Sequence, residues 1–274
     1  MPIQNSINTN IGAFVALQNL NAVNTRLDTT QNRVSTGLKV NSAVDDASSF
    51  AIAQGVRGNL KAYEAVSQGI ANGRGVATVT LAGATAISDL LGDIQKKITE
   101  GSNAGNTTEQ QSILNADFIN LVTQINVFIT NATYNGRNIL SAGSTSLNVI
   151  SNVDGSTLTV RSNSAFATAS SNLGAQTLST TVSANKALSA LFAATASINQ
   201  VLGNLGADTR ALNYQDEFLN KLTDATREGL GAIVDADMAK ESAKLQALQV
   251  QQQLSVQTLG IANQRPQTLL GLFR

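Results

Sequence analysis

The sequence predicts a mostly α-helical chain: a long antiparallel helical rod with coiled-coil terminal helices and a small β-hairpin region. Three observations predict it. The 263 residues between Pro2 and Pro266 contain no proline, the residue that breaks helix interiors and central strands. Leu191, Ile198, Leu205, Leu212, Leu219, Thr226 and Ile233 recur every seven residues, the mark of a helix packed along a seam. Residues 139–180 are rich in Ser, Thr, Asn and Gly, and Asp154-Gly155 separates two short alternating patches, which reads as a hairpin signal.

The first helix is expected over about residues 6–34. Ala16, Leu17, Leu20, Val23, Leu27 and Val34 share about a third of its circumference, while Ile3, Ile7, Ile11 and Phe14 fall on another side. A second helical stretch runs from Ala43 to about Thr99. It carries Gly55, Gly58, Gly69, Gly73, Gly75, Gly83 and Gly92, each worth roughly 1 kcal/mol of lost helix propensity against Ala. So many glycines imply close approach of a neighbour, or a helix that depends on tertiary support. Gly101-Ser-Asn-Ala-Gly105 breaks the pattern, and Thr107 or Thr108 caps the next helix, with Leu114, Phe118, Leu121, Ile125 and Phe128 on one face. Tyr134-Asn-Gly-Arg137 turns the chain. One or two hairpins follow, built on Leu147–Ile150 and Leu158–Val160, and the heptad helix occupies about 183–233. The terminal helix has two nearly opposed apolar stripes, Ala243, Ala247, Val250, Leu254 and Ile261 against Leu245, Leu248, Val256 and Leu259. A helix on a monomer's surface needs one apolar face. Two opposed faces imply packing between two neighbours.

Composition removes whole classes of function. There is no Cys, His or Trp, and 18 basic residues balance 18 acidic ones. That leaves no thiolate or imidazole chemistry and no net positive footprint for nucleic acid or anionic lipid. No cofactor or metal is expected. Asp45-Asp46, Asp216-Glu217 and the Asp235/Asp237 pair do not place two carboxylates on one helix face. Asp46, with Arg33, Lys39 or Arg57 nearby, reads as an ion pair or a helix-end charge. Gly73-Arg-Gly75 and Gly101–Gly105 lack the lysine and strand–helix setting of a phosphate loop. The first 25 residues carry no charge, so a cleavable signal's positive start is missing, and no run of about 18 apolar residues predicts a membrane span. Amides take the place of charge, with 28 Asn and 20 Gln. The stretch from Leu245 to Gln264 has no charged residue at all.

Both ends carry specific motifs. Asn32-Arg-Val-Ser-Thr-Gly-Leu-Lys-Val-Asn-Ser-Ala-Val-Asp-Asp46 resembles the N-terminal signature of bacterial flagellins. Met238-Ala-Lys-Glu-Ser-Ala243, Ile261-Ala-Asn-Gln-Arg-Pro-Gln-Thr-Leu-Leu270 and the final Leu272-Phe273-Arg274 resemble the C-terminal one, and Tyr134-Asn-Gly-Arg-Asn-Ile-Leu140 is similar to the motif that opens the family's β region. Only about 40 residues separate the two halves, as in the short alphaproteobacterial type.

The resemblance implies a subunit that polymerises into the hollow extracellular flagellar filament and is not an enzyme. It implies export without a cleavable signal, by a flagellar export chaperone and the type III export apparatus. Further partners are copies of the chain or of paralogous flagellins, and the cap and hook-associated junction proteins. No nucleic acid or membrane insertion is expected. Residues 1–42 and 236–274 correspond to an inner coiled-coil domain, and residues 43–235 to an outer helical rod domain with hairpins at about 139–180. Inner-core packing falls to Ile3, Ile7, Ile11, Phe14, Leu17, Leu20 and Leu27 at one end. At the other end it falls to Leu245, Leu248, Val250, Leu254, Leu259, Ile261, Leu269, Leu270, Leu272 and Phe273. Gln251, Gln252 and Gln253 are channel-lining candidates, and Leu191, Ile198, Leu205, Leu212, Leu219 and Ile233 form the rod seam. Leu91–Ile98 lacks the Arg/Glu/Leu patch of flagellins seen by the Toll-like flagellin receptor, so weak activation is expected. A hook–filament junction protein is the alternative, though such proteins have larger middles. A secreted translocator would need an apolar membrane-inserting segment.

Overall fold

The structure is a computed structural model that describes residues 9–271, with side chains for residues 9–264. Its helices are α1 (Ile11–Thr36), α2 (Ala47–Gly101), α3 (Thr108–Asn131), α4 (Ala165–Gly174), α5 (Thr181–Val234) and α6 (Met238–Gly271). Strands β1 (Leu147–Ile150) and β2 (Thr157–Val160) lie between α3 and α4. The chain falls into two compact units. One takes in residues up to Gly58 and from Ala225 onward, and the other is Asn59–Asp224, so α2 and α5 contribute to both.

In the unit Asn59–Asp224, α2 contributes Ile70, Ala77, Ala84, Ile87, Leu91, Ile94 and Ile98 to one core, at steps of seven and then of alternating three and four. Ala184, Leu191, Ile198, Leu205, Leu212 and Leu219 of α5 are buried in the same core at one seam position, with Ala187 and Ala194 filling the alternate one. Ile233, the last of the heptad set, belongs instead to the other unit, half-buried beside the small cluster of Val40, Ala53 and Val234. α2 and α3 each contain a stretch long and apolar enough, by length and composition, to cross a bilayer. This corrects the sequence expectation of no such stretch. Ile87, Leu91 and Ile94 of α2, and Phe118, Val122 and Ile125 of α3, lie in the protein core.

Thr107 caps α3 in a reciprocal box. Its hydroxyl accepts from the Gln110 amide at 3.2 Å, and the Gln110 side chain accepts from the Thr107 amide at 2.9 Å. Tyr134 and Arg137 exchange backbone hydrogen bonds around Asn135 and Gly136, both at positive φ, the geometry of a two-residue turn with left-handed central positions. β1 and β2 form one antiparallel hairpin, Leu147 opposite Val160 and Ile150 opposite Thr157. Two expectations for this region are corrected. Asp154-Gly155 is not a two-residue turn, because residues 151–156 form a wider loop in which only Gly155 has positive φ. The stretch after the hairpin is not a second one. It is α4, whose buried Phe166, Ala169, Ser170 and Leu173 keep helical spacing inside a Ser- and Asn-rich sequence.

The seven glycines of α2 before Gly101 divide into two groups. A Cβ at Gly73 would strike Val149 of β1, one at Gly75 would lie 2.6 Å from the Tyr134 ring, and one at Gly83 would lie 2.9 Å from Ala132 Cβ. These three form a notch against which the hairpin, the turn before it and the end of α3 pack. Gly55, Gly58, Gly69 and Gly92 face open space.

Candidate interaction surface

α1 and α6 form the paired element of the other unit. Arg33 lies beside Glu241, Asn24 beside Gln252, and Asn10 beside Ala262, so the helices run antiparallel. Gly37, in the left-handed region at φ 73°, closes α1 by donating to the Arg33 carbonyl. The chain leaving α1 is tied to the chain entering α6. The Lys39 and Val40 amides donate to the Val234 carbonyl, and the Ala236 amide donates to the Gly37 carbonyl.

The acidic pair Asp45-Asp46 sits in this connection and braces it. Asp45 Oδ2 accepts from the amides of Asn41 and Ser42 and from the Ser42 hydroxyl at 2.9–3.1 Å. Asp46 accepts from the Ser48 and Ser49 amides and the Ser49 hydroxyl at the start of α2. Backbone hydrogen bonds, from Ser42 to Asp45 and from Ser49 to Asp46, are the main cause holding both carboxyls below their usual range. The helix-end reading of Asp46 therefore holds. Asp216 pairs with Arg74 at 3.0 Å.

The facing seam of α1 consists of Ala13, Ala16, Leu20, Val23, Leu27, Thr30 and Val34, all buried or half-buried. That of α6 consists of Glu241, Leu245, Leu248, Gln252, Ser255, Leu259 and Ala262. Both advance by alternating steps of three and four, as in a coiled coil. Leu20, Leu27, Leu245, Leu248 and Leu259 thus pack within the pair. The other stripe stays uncovered. Val250, Leu254 and Ile261 of α6 are exposed, as are Ile11, Phe14 and Leu17 of α1, with Phe14 at 64% and Ile261 at 67%. Val256, grouped by periodicity with the seam leucines, is exposed too. Gln252 is half-buried and donates to Asn24 Oδ1 at 2.8 Å, so its amide serves the pair, while Gln251 and Gln253 are exposed. Ile3, Ile7, Leu272 and Phe273 lie outside the described residues, as do the side chains of Leu269 and Leu270. Periodicity alone missed the polar members of the seam, Thr30, Glu241, Gln252 and Ser255, because it weighs only apolar positions.

Fold and surface together define a helical chain whose first and last helices pair with each other and leave apolar stripes exposed. Residues 7–145 match the family model of the bacterial flagellin N-terminal helical region, and residues 188–273 match that of the bacterial flagellin C-terminal helical region. The chain is 38% identical to the flagellin FljK of Caulobacter vibrioides over 270 residues, covering 98% of this chain and 99% of that one. It is 37% identical to a flagellin of Brucella melitensis over 284 residues, with the same coverage. A solved structure described as a flagellar hook-associated protein of Vibrio parahaemolyticus covers 70% of this chain and all of its own, at 12% identity and a TM-score of 0.58. That likeness concerns the fold alone. The chain belongs to the bacterial flagellin family, and is of the short alphaproteobacterial type. It is a structural subunit of the extracellular flagellar filament, the polymer that drives swimming.

Proposed function

We propose that residues 1–42 and 236–274 form the inner coiled-coil layer of the filament, and residues 43–235 the outer layer. The uncovered stripe of α6, Val250, Leu254 and Ile261, with Ile11, Phe14 and Leu17 of α1, packs against neighbouring subunits. Ile3, Ile7, Leu269, Leu270, Leu272 and Phe273 extend the same contact. The observation that carries this reading is the exposure of that stripe while the seam beside it is covered. Apolar side chains at regular helical spacing gain from burial, at roughly 25 cal/mol per Å², only when a second helix covers them. Gln251 and Gln253 line the channel, where an uncharged polar wall neither attracts nor repels a passing chain of either sign. The chain acts without catalysis or cofactor. It leaves the cell through the flagellar export apparatus with its chaperone, without a cleavable signal, and assembles between cap and hook-associated proteins.

The test is seeded filament growth followed by electron microscopy. Leu254→Asp and Ile261→Asp should stop elongation, because each would place a charge in an apolar contact, while helix content and the melting of the soluble chain stay unchanged. Elongation at the normal rate would overturn the assignment.

A further inference from the structure

The pairing of α1 with α6 poses a register problem. Both seams repeat with the same three–four spacing, so sliding one helix by seven residues, about 10 Å, again sets seam against seam. In one such shifted register Val34 would meet Leu248 and Val23 would meet Leu259. Apolar contacts therefore distinguish the registers poorly.

Beyond the backbone ties of Gly37, Lys39 and Val40 to Val234 and Ala236 at one end of the pair, polar side chains distinguish them along its length. Glu241 is 9% exposed, and its Oε1 accepts from Arg33 Nη1 at 3.3 Å. Asn24 accepts from Gln252, and Asn10 both caps α1 and donates to the Ala262 carbonyl at 2.7 Å. Each contact joins residues more than 200 positions apart in the chain, and each is lost on a seven-residue slide. Satisfaction is nonetheless incomplete. Among the described residues, the buried side-chain polar atoms without a hydrogen bond are Thr30 Oγ1, Arg33 Nε and Glu241 Oε2, all on this helix pair. A Lys244 ammonium stands 3.7 Å from Glu241 Oε2. A partly buried ion pair with unfilled hydrogen-bonding capacity adds little stability compared with apolar packing, and the best-attested use of such a pair is to specify register.

We propose that the Arg33–Glu241 and Asn24–Gln252 contacts are a register lock for the two ends of the chain, acting as positioning residues rather than as a source of stability. The lock aligns the open stripe of α1 with that of α6, so that a neighbouring copy meets both together. This consequence rests on the stripe assignment above.

The absence of cysteine makes the register directly readable. In the full-length chain, Leu27→Cys with Leu248→Cys, one turn from the Asn24–Gln252 contact on each helix, reports the native register. Leu27→Cys with Ser255→Cys reports a slide of seven residues. Both pairs are oxidised in the soluble chain, and in filaments diluted with cysteine-free copies so that only cross-links within a chain are scored. Combining Arg33→Met with Glu241→Met should raise the ratio of shifted to native cross-link roughly tenfold, about 1.4 kcal/mol of register preference, with helix content and melting temperature unchanged. Asn24→Leu with Gln252→Leu should act in the same direction. An unchanged ratio in both double variants, or a loss of helix content with no change in the ratio, would overturn the lock. A raised ratio with normal filament elongation would leave the lock standing and overturn the stripe assignment.

Discussion

Gly73→Ala tests whether glycines in α2 serve the hairpin or merely weaken the helix. Alanine has the higher helix propensity by roughly 1 kcal/mol, so at an open position the change should stabilise. At Gly73 the new methyl group would run into Val149, whose Cγ1 and Cβ would lie 3.2 and 3.3 Å from the added carbon and whose Cγ2 would be closer still. Carbon atoms prefer about 3.5–4.0 Å. Rotating Val149 about χ1 does not clear the space, since its Cβ is itself too near. The hairpin must shift, and Val149 is buried in the core. Overpacking of this kind costs about 1–3 kcal/mol, which equals or exceeds the propensity gain. Gly92→Ala, in the same helix but facing open space, has no such penalty. Thermal unfolding of the depolymerised full-length chain, followed by circular dichroism, should place Gly92→Ala above the parent and Gly73→Ala at or below it. The two variants should differ by about 1–3 kcal/mol, each kcal/mol moving the midpoint by roughly 2–4 °C in a unit of this size. Val149→Ala should offset part of the loss in the Gly73→Ala background, a coupling that independent sites would not show. Equal midpoints for Gly73→Ala and Gly92→Ala would refute the reasoning.

Asp45 and Asp46 titrate below their usual value of 3.8 because backbone amides and serine hydroxyls donate to them. A depressed carboxyl contributes stability that is present above 3.8 and is lost as pH falls through the lower folded-state value. The Ser42, Ser48 and Ser49 amides should therefore lose hydrogen-exchange protection on acidification through that window. Asp46→Ala, which removes the acceptor, should show the loss at Ser48 and Ser49 already at neutral pH. The hairpin gives another prediction. Asp208, whose side chain is 10% exposed, accepts from Arg161 Nε, from Nη2 at 2.7 Å and from the Arg161 amide at 3.0 Å. Asp208→Ala removes all of these contacts, whereas Arg161→Ala leaves the amide contact in place. Amide exchange in β1 and β2 should accelerate more for Asp208→Ala. The reverse order would show that the exposed guanidinium, not the backbone tie, holds the strand end.

Much of the helical architecture is legible in the sequence. The proline-free span, the heptads of α5 and the Thr107 cap place long helices within a few residues of where they occur, because each is a local signal of period or of end chemistry. α4 escapes the same reading, since Ser170 is as buried as Phe166 and Leu173 and composition hides the helical spacing. The loop of the hairpin escapes it because a turn's length follows from strand pairing as much as from its own residues.

Periodicity reports that a helix has a face, but not what the face meets. The sequence by itself determined that α6 carries two opposed stripes and that α2 is dotted with glycine. Only the tertiary structure decided that Leu245, Leu248 and Leu259 turn toward α1 while Val250, Leu254 and Ile261 stay open, and that Gln252 belongs to the pair. It also decided which three glycines receive the hairpin, the turn before it and the end of α3. These outcomes depend on contacts between residues far apart in the chain, and a local pattern carries no record of its partner.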